Sequence, residues 1–204
     1  MGKLIEWIFM KVYLSMLASG LFLLLSFSGG LVLGIGPASM TVMSLAETNG
    51  EDYKSYRIKE AWRLFRSNFI RGNQMFYSFF SLLAVFLYGI YLMVQLPNQS
   101  LFYLSLTLLN LFLALLLPLL YTLYLKIQVH FELSYLNGLK LSFISLFLTP
   151  PLLLLKLVIG FALLVLVGWY APALAVFVLL GMWHFFVNDT LAPLYSILES
   201  HLES

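Results

Sequence analysis

GNQMFYSFFSLLAVFLYGIYLMVQLPNQSLFYLSLTLLNLFLALLLPLLYTLYL (residues 72–125) runs for 54 residues without an Asp, Glu, Lys or Arg. An average soluble domain carries about 25% charged residues. A helix needs roughly 20 apolar residues to cross the hydrocarbon core of a bilayer, so the run holds two crossings. Its surroundings agree. Val12 to Ala46 carries no charge, and Leu141 to Asn188 carries only Lys156 and His184. With 62% hydrophobic and 10% charged residues over 204 positions, the chain reads as all-α. The expected architecture is a polytopic transmembrane helix bundle of about five spans, one integral membrane domain over residues 1–204. Cysteine is absent. That excludes disulfides, thiolate chemistry and Cys-based metal centres.

Proline, glycine and polar clusters mark the breaks. The first span runs from about Val12 to Leu33. Gly29-Gly30, Gly34 and Gly36-Pro37 interrupt it, and a further short helix covers Ala38 to Ala46. Lys3, Lys11 and the apolar Val12–Phe27 resemble a signal peptide, but the stretch is too long and no Ala-x-Ala site follows, so it is read as a retained span. The second span covers about Gln74 to Leu96. A short turn, Pro97-Asn98-Gln99-Ser100, joins it to the third, about Leu101 to Leu125, with Pro118 near its end. The fourth runs from about Leu141 to Val167 with Pro150-Pro151 inside it. Trp169-Tyr170-Ala171-Pro172 reads as an interfacial turn. The fifth covers about Ala173 to Val187.

Basic residues set orientation. Lys54, Arg57, Lys59, Arg63, Arg66 and Arg71 fall in the 47–72 loop, and Lys126 and Lys140 in the 126–140 loop. Only Lys3 and Lys11 lie on the other face. Five crossings then place the N-terminus outside and the C-terminus in the cytoplasm. A re-entrant hairpin through the glycines would instead return the N-terminus inside, with two legs of ~17 residues that barely fit the bilayer.

Tyr53 to Arg71 is amphipathic. Ile58, Trp62, Phe65 and Phe69 recur at helical spacing, and Arg57, Lys59, Arg63 and Arg66 occupy the remaining surface. Such a helix lies on the cytoplasmic interface, against anionic lipid headgroups, or docks a partner. Gly30-Leu-Val-Leu-Gly34 is a G-x-x-x-G pattern that allows close helix approach; an unwound stretch there would line a cavity. Lys156 lies deep in an apolar run, where a charge is costly; it either faces a substrate path or snorkels. Asn110 is a second candidate for a cavity wall. His184, Asn188 and Asp189 form a polar cluster at the end of the fifth span. His130 and His201 are not at metal-ligand spacing from it, so no metal site is expected. No phosphate loop, zinc-protease helix, nucleophile elbow or buried carboxylate pair is present, and no catalytic residue or cofactor is assigned.

Two stretches echo one another. Pro37 and Thr41 correspond to Pro118 and Thr122, and Phe65-Arg66-x-x-Phe69 to Leu139-Lys140-x-x-Phe143. This implies a duplicated unit whose copies run the same way. Gly34-Ile-Gly36-Pro37-Ala38, followed by Trp62-x-x-Phe65-Arg66-x-Asn68-Phe69-x-x-Gly72-Asn73, resembles the YesL-like family of bacterial membrane proteins, a domain of unknown function. The resemblance implies a bacterial plasma-membrane protein near carbohydrate uptake. The expected function is a non-enzymatic accessory to a carbohydrate transporter, with no nucleic-acid partner. The alternatives are a structural or signalling partner docking through the basic helix, and an intramembrane lipid- or glycan-processing enzyme.

Overall fold

The structure, a computed structural model, describes residues 2–96, 100–131 and 133–202, with side chains described between residues 5 and 200. The turn expected at Pro97-Asn98-Gln99 lies outside the described residues, as do the side chains of Lys3 and His201. Among the described residues the regular elements are all helical. They are α1 (Gly2–Ser28), α2 (Ile35–Asn49), α3 (Ile58–Ser67), α4 (Phe69–Val94), α5 (Leu101–Phe131), α6 (Tyr135–Leu148), α7 (Pro151–Tyr170), α8 (Pro172–Thr190) and α9 (Leu194–Leu202). A 3-10 turn at Tyr53–Ser55 precedes α3, and a π-helical turn at Ala175–Leu179 lies inside α8. Five helices, α1, α4, α5, α7 and α8, are long and apolar enough to cross a membrane. This fits a multi-pass membrane protein.

The glycines after α1 reverse the chain. Gly30 has φ +73 and Leu31 φ +61. The Leu31 N–H donates to the Ser26 carbonyl at 2.8 Å, and the Gly30 N–H to the Phe27 carbonyl at 3.0 Å. This paired pattern ends a helix on a left-handed residue, a position that glycine fills without strain. Helix α2 then runs back along α1. A Cβ on Gly34 would sit 2.2 Å from the Ser26 carbonyl oxygen, the Tyr13 and Tyr53 rings lie 5.8 Å apart, and Lys11 Nζ reaches Glu51 at 2.8 Å. The first span therefore ends at Ser28 and not at Leu33, and the interruption expected at the glycines is the turn of a hairpin. At 15 residues, α2 is ~22 Å long, short of the ~30 Å core.

Two further hairpins follow the same direction. In α4–α5, Gly89 faces Asn110 and Phe79 meets Tyr121 at 5.7 Å. In α7–α8, Gly160 faces Phe186 and Phe161 meets Trp183 at 5.7 Å. The α1–α2 turn sits beside the first turns of α4, where the Tyr77 hydroxyl donates to the Val32 carbonyl at 2.5 Å. Lys11 of α1 also contacts Asp189 of α8 at 3.2 Å, so the start of the chain shares an end with the 47–72 segment and with the last helices. Lys11 and Asp189 thus meet at one end of the bundle, while the helices long and apolar enough to cross a membrane number five among the described residues.

Helix α2 is the hub. Ten of its fifteen residues are buried. Met40 and Met43 join the core built with Met75, Phe79, Tyr124 and Leu157. Ala38, Val42 and Leu45 join the other core, with Leu14, Ala18 and Phe65. Small residues allow this crowding in a setting where packing, not water exclusion, holds helices together. A Cβ on Gly36 would lie 2.4 Å from the Gly72 carbonyl oxygen of α4.

Two span boundaries move. Helix α5 continues past Leu125 to Phe131, so Lys126 belongs to a helix and not to a loop. The expected fourth span is two helices. Helix α6 ends at Leu148, and α7 restarts at Pro151, where a first-turn proline lacks only an N–H that has no helical acceptor. The two echoing Pro/Thr pairs have the same local geometry, an i, i+4 bond that Ser and Thr also make elsewhere in these helices. Thr41 Oγ1 donates to the Pro37 carbonyl in α2, and Thr122 Oγ1 to the Pro118 carbonyl in α5, each at 2.8 Å. Each helix is followed by a short helix, α3 or α6, and then by a span, α4 or α7.

Candidate functional site

A polar cluster closes the charged end of the bundle. Lys126, 2% exposed at its side chain, donates to Glu47 of α2 and to the side-chain amide oxygen (Oδ1) of Asn188 in α8. Its Nζ also lies 4.5 Å from the ring centroid of Tyr195 in α9. Glu47 binds His130 Nδ1 through its other oxygen at 3.3 Å. The His130 ring stacks on Tyr195 at 3.7 Å and 15°, and its Nε2 lies 3.8 Å from Glu199. Tyr195 donates its hydroxyl to the Lys126 carbonyl at 3.3 Å. Burial, and then the Glu47 carboxylate, push the Tyr195 phenol well above its ordinary value, so it stays protonated and remains a donor.

An ammonium has three donors and no acceptor. Two of the Lys126 donors serve Glu47 and Asn188, and the ring covers another side through a cation–π contact. The cluster thus spends its charge on itself, and its chemistry is that of a clamp joining α2, α5, α8 and α9. Lys11 adds a weaker tie. Its partners Glu51 and Asp189 are exposed, and ion pairs at that exposure are worth about 1 kcal/mol or less.

One turn deeper, His184 Nδ1–H donates to the Leu180 carbonyl at 2.7 Å. That assignment leaves Nε2 as an acceptor for the Ser39 hydroxyl at 3.0 Å. Ser39 and His184 are both buried, so the pair links α2 to α8 without an approach for a reactant. Ser19 Oγ accepts the Gly181 N–H at 2.8 Å and joins α1 to α8.

The expected polar cluster of His184, Asn188 and Asp189 is therefore brought together with α2, α5 and α1. Sequence reasoning missed its partners Glu47, Lys126, His130, Tyr195 and Glu199. A signal was present: Glu47/Glu51, Lys126/His130, His184/Asn188 and Tyr195/Glu199 are all i, i+4 pairs at the ends of apolar runs, so each pair shares one helix face.

The expected cavity wall is not assembled. Lys156 is exposed on the outer face of α7, six residues into that helix, because the span begins at Pro151. From ~8 Å inside the helix end, a lysine stem reaches the interface. Asn110 packs on Gly89 and donates to its own Leu106 carbonyl at 2.9 Å. Gly29, Gly30 and Gly34 form the α1–α2 turn, and Gly36 and Pro37 pack on Gly72. The clefts between the helices are lined by apolar side chains, one of them by Leu164, Val167, Leu179 and Met182 between α7 and α8. Phe76, Phe80, Leu117 and Phe161 border a second, and Leu115, Leu157, Val158 and Trp183 a third.

The basic helix is real but shorter than expected, and its apolar stripe divides. Phe65 is buried and Phe69 half-buried against the bundle, whereas Ile58 and Trp62 point outward. The cause is the i, i+4 row Ala61–Phe65–Phe69, which packs on Val42 and Leu45 of α2. Arg57, Lys59, Trp62, Arg63 and Arg66 border an open basin whose one carboxylate is Glu60, 3.8 Å from Arg63. Before α3, the Ser55 hydroxyl and the Lys54 N–H hold the exposed Asp52 carboxyl below its usual range and cap the 3-10 turn.

A family model described as "Protein of unknown function, DUF624" matches residues 15–90, the stretch from α1 through most of α4. No curated protein and no solved structure matches the chain.

Proposed function

We propose that this chain is a non-enzymatic, multi-pass accessory of the bacterial plasma membrane that works by contact. It assists carbohydrate uptake without conducting solute through itself. The single observation that carries this reading is the separation of Lys156, Asn110 and the glycine turn, the groups that a polar path would have had to join. The space inside the bundle is bordered by apolar side chains, and the charged residues at its mouth are bound to one another. The contact face is the exposed basin of α3, whose Arg57, Lys59, Arg63 and Arg66 suit an acidic partner segment, with Trp62 as an aromatic anchor. The carbohydrate role rests on the YesL-like resemblance, with which the DUF624 match over residues 15–90 is consistent. The basic residues lie at the end shared by both termini, so both termini are cytoplasmic.

The test is complementation of a chromosomal deletion, read as cellular uptake of a panel of labelled oligosaccharides. Uptake of at least one sugar falls in the deletion. Lys156→Leu restores it, and the double charge reversal Arg63→Glu/Arg66→Glu does not. Purified protein alone in liposomes carries no sugar. Transport by the purified protein, or failure of Lys156→Leu to complement while it is still expressed, overturns the reading.

A further inference from the structure

We infer that the elbow between α3 and α4 is a binding site for the phosphate headgroup of an anionic glycerophospholipid. The helix axis breaks at Asn68, which caps α3 and starts α4. The break opens a cleft of about 530 Å³ against the first residue of α6, bordered by Ser67, Asn68, Ile70, Arg71, Gln74 and Tyr135. This cleft is separate from the outward basin of α3, and its lining is mostly polar side chains, unlike the apolar clefts inside the bundle.

Three of these side chains lack a partner among the described residues. No carboxylate pairs with Arg71 there; the ion pairs belong to Lys11, Arg63, Lys126 and His130. The side-chain amides of Asn68 and Gln74 make no hydrogen bond within the chain there either. A guanidinium presents a planar fork of donors that matches two phosphate oxygens at once. Amides beside it suit the hydroxyls of a glycerol group, since each offers both a donor and an acceptor.

Depth distinguishes a lipid from a soluble phosphate compound. The Tyr124 hydroxyl donates to the Tyr135 carbonyl at 3.3 Å, so the cleft lies beside Tyr124, two residues before Lys126. That is the level of the charged end, where headgroups sit if α4 crosses the membrane. Ile70, 81% exposed at the rim, gives acyl chains an apolar start along α4. The inference rests on the membrane-embedded reading, but not on any role in sugar uptake.

The experiment is native mass spectrometry of the full chain in neutral detergent, titrated with phosphatidylglycerol, phosphatidylcholine or soluble glycerol phosphate. Phosphatidylglycerol is retained, and the other two are retained weakly. Arg71→Gln lowers phosphatidylglycerol retention about tenfold, the scale of one lost charge-assisted pair. Arg71→Lys, which keeps the charge and the fold but loses the fork, falls between. Lys54→Gln removes a positive charge at the same end, outside the cleft, and retains lipid as the unaltered chain does. Equal loss in Lys54→Gln and Arg71→Gln overturns the site, because bulk charge then explains retention. Unchanged retention in both Arg71 variants overturns it too. Glycerol phosphate bound as well as the lipid overturns the lipid assignment. None of these results depends on the uptake assay, so the two readings fail separately.

Discussion

Replacing Lys126 by Met is expected to destabilise the folded protein by about 3–5 kcal/mol, the usual loss when one partner of a buried ion pair is removed. The ammonium is almost wholly enclosed, and its loss takes the cation away from the Glu47 carboxylate and leaves the Asn188 side-chain amide oxygen without that donor. The stem volume is roughly kept by Met, so the change isolates the charge. Adding Glu47→Gln to Lys126→Met should then recover part of the loss, since the stranded carboxylate disappears. Thermal unfolding of the four proteins in mild detergent closes this double-mutant cycle, and coupling between contacting groups is commonly about 0.5–3 kcal/mol. Additive losses would mean that Lys126 and Glu47 act independently, and the clamp would be rejected.

A second large effect lies at Gly181. A Cβ there would stand 2.1 Å from the Ser15 carbonyl oxygen and 2.9 Å from the Ser19 amide nitrogen of α1. The obstacle is helix backbone, which cannot rotate aside. Gly181→Val must push α1 away from α8 and strain the hydrogen bond from the Gly181 N–H to Ser19 Oγ. The expected loss is about 3 kcal/mol, the upper end of the usual cost of overpacking. Gly20 is the internal control. It sits in the same α1, yet nothing lies within 4 Å of the position of its Cβ. Gly20→Ala should be neutral or stabilising by up to about 1 kcal/mol, through helix propensity. Melting temperatures measured side by side test the pair. A tolerated Gly181→Val would mean that α1 does not pack on α8 as described.

Helix content and the long spans were legible in the sequence because charge-free runs of this length have few alternatives to membrane helices. Boundaries were less legible, for an identifiable reason. The third span was ended at Leu125 because Lys126 looked like solvent-facing charge, yet Lys126 finds Glu47, and the helix continues to Phe131. A lone residue type does not reveal whether its charge will be paired inside. The glycine-rich stretch was read as a break or a packing motif, and both readings contain part of the result. Gly30 ends α1 in a left-handed conformation, whereas Gly36 and Gly72 let two helices touch. Which glycine does which depends on the path of the chain after Ser28, a tertiary fact. His184, Asn188 and Asp189 were recognised as a cluster because they lie close together in sequence. Their partners come from α1, α2 and α5, and no local pattern joins residues so distant along the chain.

The measurement that bears most directly on the account is the sidedness of single cysteines, since the chain has none of its own. Glu6→Cys, Lys54→Cys and Trp169→Cys mark the start of the chain, the basic segment and the α7–α8 turn, and all three positions are exposed. An impermeant maleimide is applied to intact cells and then to permeabilised ones. Three hairpins that share one charged end predict that Glu6→Cys and Lys54→Cys both react only after permeabilisation, and that Trp169→Cys reacts in intact cells. Labelling of Glu6→Cys in intact cells, with Lys54→Cys still protected, would contradict the α1–α2 hairpin and with it the arrangement of the whole bundle.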